Sequence, residues 1–215
     1  MTTKPIITLE VTSDTVCPWC YVGKRRLEKA MARFKDRADF KVRWLPFQLN
    51  PEAPREGEVK LQYYNDKFGP ARVAQMLPQM TRTFAEEGLQ YKMGGLTGNT
   101  LDSHRLIAWA EQFGLAQQNA LVEELFARYF CQEKYIGDRG VLLEAVAAAG
   151  LSVADAAAVL DDPAAFTQEV QQLVARARGI GGVPYFVIDK RLKMSGAQPP
   201  EAFEEAFEQV LSSSA

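Results

Sequence analysis

Two cysteines one helical turn apart, Cys17-Pro18-Trp19-Cys20, stand where a β-rich run gives way to a helical one. Ile6-Ile7-Thr8-Leu9-Glu10-Val11 reads as a strand and Ser13-Asp14 as turn-prone, so Cys17 arrives at the start of the next helix. Pro18 suits a first helical turn, where its missing N–H is no loss. Val22, Leu27, Ala30, Met31 and Phe34 then recur at helical spacing over about 18–36, and Lys24, Arg25, Arg26, Glu28 and Lys29 take the other positions. The helix therefore has one core-facing stripe, with a strand running straight into it.

Free amides at a helix start, with the positive end of the macrodipole, stabilise a thiolate relative to a thiol. Cys17 is thus the expected nucleophile. Cys20, one turn further in, is expected to be more buried and to resolve a mixed disulfide by attacking Cys17. Trp19 reads as a partly exposed apolar contact for a substrate peptide, with packing over the sulfurs as the alternative. Asp14, three residues before Cys17, suits an Asx turn, and its charge opposes thiolate formation.

The same Cys-x-x-Cys spacing also supplies half of a structural zinc site. Cys17, Cys20, Cys131 and His104 are the set available for one, although Cys131 and His104 lack the short spacing of a second half. His104 is the single histidine. It reads as an acid or base for thiol chemistry, or as a helix-start residue bonded to backbone. Cys131, next to Tyr129 and Phe130, reads as a buried free thiol, with a third redox thiol as the alternative.

A second signal lies far downstream at Gly181-Gly182-Val183-Pro184-Tyr185-Phe186-Val187-Ile188-Asp189, an apolar run with glycines before it and a proline at its head. Proline cannot donate to a sheet ladder and belongs at the first residue of a strand or on an edge. Cys-Pro-Trp-Cys paired with Gly-Val-Pro-Tyr-Phe resembles the thioredoxin superfamily. That resemblance implies a cis bond between Val183 and Pro184, a proline packed beside the dithiol, and a Val183 backbone edge open to an extended substrate. With Ser-His-Arg-Leu at 103–106 and Met-Ser-Gly-Ala-Gln at 194–198, the chain is similar to the FrnE-type branch of the DsbA-like oxidoreductases along nearly its whole length. Cys131 has no role in that pattern.

The resemblance implies a thiol-disulfide oxidoreductase or isomerase that needs no cofactor and no metal. Cys17 and Cys20 would be catalytic, and Pro18, Trp19, Val183 and Pro184 would bind substrate. Expected partners are disulfide-containing proteins or small thiols, with glutathione a candidate. Two other readings stand beside it. One is a glutathione-dependent isomerase or transferase similar to the kappa-class glutathione transferases and hydroxychromene-carboxylate isomerases, which carry a serine where this chain has Cys17. The other is a zinc-stabilised binding or chaperone module.

Composition limits the partners. At 215 residues and 47% hydrophobic content the chain buries a full core without disulfide staples, and a net charge of −2 gives no footprint for nucleic acid. No run of about 18 apolar residues suggests a membrane span. The amino terminus meets Glu10 early and shows no small-residue cleavage site, so a cytoplasmic setting is expected, where thiols stay reduced and Cys17 and Cys20 are catalytic rather than structural.

The expected fold is α/β, a thioredoxin fold interrupted by a large all-helical insertion. Residues 1–54 form its first segment, 55–165 the insertion and 166–215 the second segment. A strand over about 39–47 follows the first helix. Punctuation then marks helices from Gly69-Pro70 to Gly88 with a kink or break at Pro78, from an Asp102 or Ser103 cap to Gly114, over about 116–132, and from Asp138 to Gly150. Ser152 opens another, and Asp162-Pro163 is expected to start the helix reaching Arg178. Leu192-Lys193-Met194-Ser195 reads as an edge strand and Pro199-Pro200 as the start of the last helix, through Val210. The glycine-rich stretch 91–101 reads either as a flexible wall of the substrate cleft or as a surface loop.

Overall fold

The computed structural model describes residues 4–213. The chain opens with β1 (Ile6–Ser13), α1 (Pro18–Arg33) and β2 (Asp39–Pro46). Next come β3 (Glu58–Val59), α2 (Lys60–Phe68), α3 (Pro70–Glu86), β4 (Leu96–Thr97), α4 (Leu101–Glu111), α5 (Leu115–Cys131), α6 (Arg139–Ala148) and α7 (Val153–Asp161). It closes with α8 (Thr167–Arg176), β5 (Tyr185–Ile188), β6 (Leu192–Ser195) and α9 (Pro200–Ser212). This is a thioredoxin fold with a helical insertion.

The main sheet has the order β2-β1-β5-β6. β1 pairs in parallel with β2, Ile6 opposite Asp39 through Ser13 opposite Pro46, and antiparallel with β5, Val11 opposite Phe186. β6 completes the edge, Phe186 opposite Met194. Alternation puts Ile7, Leu9 and Val11 of β1 and Phe186 and Ile188 of β5 fully in the core. Phe34, just after α1, and Phe40 of β2 meet Phe207 of α9, while Phe186 meets Phe203, so the end of α1 and α9 share the aromatic packing of the sheet. Trp44 of β2 instead meets Phe126 of α5, which joins the insertion to the same core.

Gly23 fixes how closely α1 approaches β5. A Cβ there would stand 3.0 Å from Pro184 Cγ and 3.1 Å from the Phe186 ring, so glycine is what lets the helix lie on the strand that carries the proline. The same closeness brings Cys17 next to Val183.

Several sequence expectations change. The insertion is not all-helical: β3 and β4 pair antiparallel, Glu58 opposite Thr97 and Val59 opposite Leu96. Two-residue strands are too short to leave a periodic signal. α3 passes through Pro78 without a break. α4 starts with Thr100 as its cap position and no side-chain cap bond, and Ser103, inside the helix, shares a 2.8 Å hydrogen bond with Thr15 Oγ1. α8 starts at Thr167, four residues after Pro163, with Phe166 at φ 59° preceding it, and Asp162 caps only the turn, accepting from Ala164 N–H. The amino-terminal reading draws partly on residues 1–3, which lie outside the described residues.

Lys24 is a further correction. The helical periodicity puts it off the core-facing stripe of α1, yet it is 2% exposed, because α5 covers that side and supplies Glu123 at 2.8 Å, with Glu28 as a second partner. Glu123 also takes Arg25 and the Tyr21 hydroxyl. Burial and the Glu123 charge push the Tyr21 phenol well up, so it stays a neutral donor.

Candidate active site

Cys17 occupies the cap position of α1 with extended backbone (φ −90°, ψ 112°), and its side chain makes no cap bond. Its N–H donates to Asp14 C=O at 3.0 Å and its own C=O accepts from Cys20 N–H at 3.0 Å, a tight turn that stacks the two cysteines on one edge of the helix start. The Cys17 thiol points across the junction, 3.6 Å from Val183 C=O. Cys17 is 5% exposed, and Cys20 behind it has no exposure. Burial above all, then the hydrogen bond its S–H donates to Cys17, pushes the Cys20 thiol well up. The Val183–Pro184 bond is cis.

Cys17, Pro18, Trp19 and Val183 line one cleft of about 310 Å³; Pro184 lies behind Val183, buried against α1. Trp19, 39% exposed, sits at its rim. The opposite wall is Tyr63, Tyr64 and Phe68 of α2 with Val73, Met76, Leu77 and Met80 of α3. The sequence reading did not single out this wall. Its signal is the aromatic run at 63–68 followed by an apolar stripe on α3, with no partner evident in sequence.

The stretch 91–101 belongs to the cleft through Tyr91, Thr97, Gly98 and Thr100. Its glycines serve close approach: Gly95 has φ +82°, and a Cβ there would lie 2.2 Å from Glu133 C=O. Burial pushes the Tyr64 phenol well up, with Cys17 among the neighbours adding to it, and raises Tyr91 to about 12. The cleft wall thus presents neutral hydroxyls on an apolar surface.

His104 is neither exposed nor bonded to backbone through its ring. It is 2% exposed, with Nε2 3.3 Å from Oδ1 of the fully buried Asp14, whose Oδ2 accepts from Leu49 N–H at 2.7 Å. Asp14 therefore ties α4 and the loop after β2 to the Cys17 turn instead of making an Asx turn. Ser103, bonded to Thr15, and His104 are the matching half of that tie. Among the described residues no group of three or more His, Cys, Asp or Glu side chains is arranged to hold a metal. Cys131 is half-buried at the end of α5 and outside the cleft wall; burial raises its thiol.

Lys60 stands behind the cleft at the start of α2, 1% exposed, donating to Tyr129 C=O at 3.1 Å and lying 3.8 Å from the centre of that ring. Burial lowers its ammonium to about 8, with Glu133 pulling the other way. Between pH 8 and 10.5 the unfolded chain then binds more protons at this position than the folded one, so its share of stability rises with pH. Burial of Cys20, Cys131 and the phenols acts in the opposite sense above about pH 9. The difference between wild type and Lys60→Met isolates the lysine. The variant is expected to gain on the order of 2–3 kcal/mol at pH 7, and the gain is expected to vanish by about pH 10.5. Chemical denaturation of both proteins across that range measures it, and a constant difference would contradict the assignment.

A family model described as a DSBA-like thioredoxin domain matches residues 8–208. A probable DsbA oxidoreductase of Streptomyces coelicolor is 34% identical, with a TM-score of 0.85 over 96% of this chain and 90% of that one. The cytosolic disulfide reductase DsbM of Pseudomonas aeruginosa, solved with GSH, shares the fold at 21% identity and a TM-score of 0.60, over 95% and 99% of the two chains. The uncharacterised protein YwbO of Bacillus subtilis is 25% identical over 207 residues, 93% of this chain and 94% of its own.

Proposed function

The chain belongs to the DSBA-like thioredoxin domain family of oxidoreductases, and from that premise we propose that Cys17 and Cys20 are a working dithiol that exchanges disulfides with protein or small-thiol substrates. The observation that carries the reading is the placement of the Cys17 sulfur at the open start of α1, in the cleft and 3.6 Å from Val183 C=O, with Cys20 buried directly behind it.

In this reading the Cys17 thiolate attacks one sulfur of a substrate disulfide. The substrate S–S bond breaks, a mixed disulfide forms, and the other substrate sulfur leaves as a thiolate. Cys20 gives up its proton and attacks the Cys17 sulfur. The mixed disulfide breaks, the second substrate sulfur leaves, and a Cys17–Cys20 disulfide remains. The substrate gains two electrons and the protein loses them; the reverse sequence oxidises a substrate dithiol. Burial of Cys20 suits this order, because a protonated resolving thiol does not compete for the first attack. Pro18, Trp19 and Val183 form the substrate side, Trp19 by apolar contact and Val183 by its backbone edge, while Pro184, buried behind Val183, holds that edge against α1.

The FrnE-type assignment, a cytoplasmic setting and the division at residues 55 and 165 belong to the same proposal. All four strands of the main sheet come from outside 55–165, which supports that division. A disulfide reductase of the same fold described as cytosolic and solved with GSH supports the setting and glutathione as a candidate small thiol.

A glutathione redox series read by thiol alkylation and mass spectrometry tests the reading. One reversible two-electron transition of Cys17 and Cys20 is expected, with a potential between about −270 mV, the thioredoxin range, and about −120 mV, the DsbA range. The absence of an intramolecular disulfide at any poise would overturn the dithiol. A stable glutathione adduct on Cys17 alone would favour the glutathione-transferase reading.

A further inference from the structure

The segments that wall the cleft show their other side to a second hollow, of about 610 Å³. Asn50 and Gly98 line the cleft while their neighbours Pro51 and Asn99 line the hollow, and Ala53 lines both. Gly182 and Val183 line the cleft, and Arg178, shortly before them, lines the hollow. The cleft and the hollow therefore adjoin through the 50–53, 98–99 and 178–183 segments.

Its character is opposite to that of the cleft. Arg55 and Arg178 stand on its wall, both exposed, and among the described residues neither guanidinium has a hydrogen-bond or ion-pair partner. Glu52 is the one carboxylate on that wall. The wall is pinned: Asn99 Nδ2 donates to Pro51 C=O at 2.9 Å and to Ala53 C=O at 3.3 Å. In a chain with a net charge of −2, two guanidiniums without partners thus share the wall of a hollow that adjoins the cleft. Guanidinium forks favour carboxylates by bidentate hydrogen bonds.

We infer that the Arg55–Arg178 hollow is a subsite for acidic side chains of an extended polypeptide substrate, lying next to the half-cystine held at Cys17. The assignment rests on the dithiol reading. It makes the protein selective for disulfides flanked by an apolar residue on one side and by Asp or Glu a few residues away.

The test uses the reduced full-length protein and peptide disulfides with amidated ends and one apolar core, carrying an Asp pair before the half-cystine, an Asp pair after it, or an Asn pair. One Asp peptide is expected to react about tenfold faster than the Asn peptide at low salt, and most of that advantage is expected to disappear near 1 M salt, where the Debye length falls to about 3 Å. The double variant R55Q/R178Q should lose the advantage and keep the Asn-peptide rate. Equal rates for all peptides, or an advantage that survives in the double variant, would overturn the subsite. So would a gain confined to an Asn peptide with a free carboxyl terminus. Serine analogues of the peptides, titrated by fluorescence anisotropy, read the same arginine-dependent preference without thiol chemistry, so failure of the dithiol and failure of the subsite are separable.

Discussion

Cys17→Ser is expected to lower the rate of disulfide exchange at least about a thousandfold, and Cys20→Ser to leave the first attack intact while the mixed disulfide accumulates. The two thiols differ in place. Cys17 sits in the cleft at a helix start whose side-chain cap is missing, so its sulfur is the atom a substrate reaches. Cys20 has no exposure and is kept protonated by burial, so it reaches only the Cys17 sulfur. Reaction with a fluorescent peptide disulfide reads the loss in Cys17→Ser. Mass spectrometry under non-reducing conditions reads the trapped adduct in Cys20→Ser, mapped to Cys17. Residual exchange within tenfold of wild type in Cys17→Ser would remove this thiol from the reaction, and an adduct on Cys131 would move the chemistry to the end of α5.

The parts legible in the sequence are those set by neighbours along the chain. β1, α1, β2, β6 and α9 follow from local periodicity and from Pro18, Pro46 and Pro199-Pro200 at their ends. The Cys17–Cys20 pair and Val183-Pro184 stand out because their spacing carries chemistry, and Gly23 explains why they meet. The other half of the site depends on contacts between distant residues. Asp14 and His104 are 90 residues apart, and Lys24 and Glu123 are 99 apart, so their burial as pairs has no local signature. The aromatic wall on α2 was missed because Lys60, Tyr63, Tyr64 and Phe68 give no clear apolar stripe. Lys60 is buried against Tyr129, supplied by α5. In physical terms, the sequence marks the thiols and the proline by local spacing, and tertiary packing decides which surface they face.

Arg105→Met is expected to cost about 3–5 kcal/mol of stability, which for a chain of this size lowers the melting temperature by on the order of 10 °C. Arg105 lies on α4 at 3% exposure, and its guanidinium is a hub. Nε donates to Ala165 C=O at 2.8 Å, Nη1 to Asp102 at 2.7 Å, and Nη2 to the carbonyls of Val159 and Asp162. The last carbonyls of a helix have no partner within it, and here Arg105 serves those at the end of α7 and in the turn before α8. Methionine fills much of the volume but removes the donor from the carbonyls of Val159 and Ala165, while Asp162 C=O keeps Ala165 N–H at 3.1 Å, at about 1–3 kcal/mol for each acceptor left unpaired that water does not reach. Lysine has a single point charge in place of a planar fork, so Arg105→Lys is expected to recover only a minor part. The effect reaches the dithiol through the chain: the turn at 162–166 sets where α8 begins, and α8 leads to the segment carrying Val183. Below its melting temperature Arg105→Met should therefore also exchange disulfides a few-fold more slowly. Thermal denaturation followed by circular dichroism, with the peptide-disulfide rate at 20 °C, measures both; a loss under about 1 kcal/mol would mean that water replaces the guanidinium and that the turn holds without it.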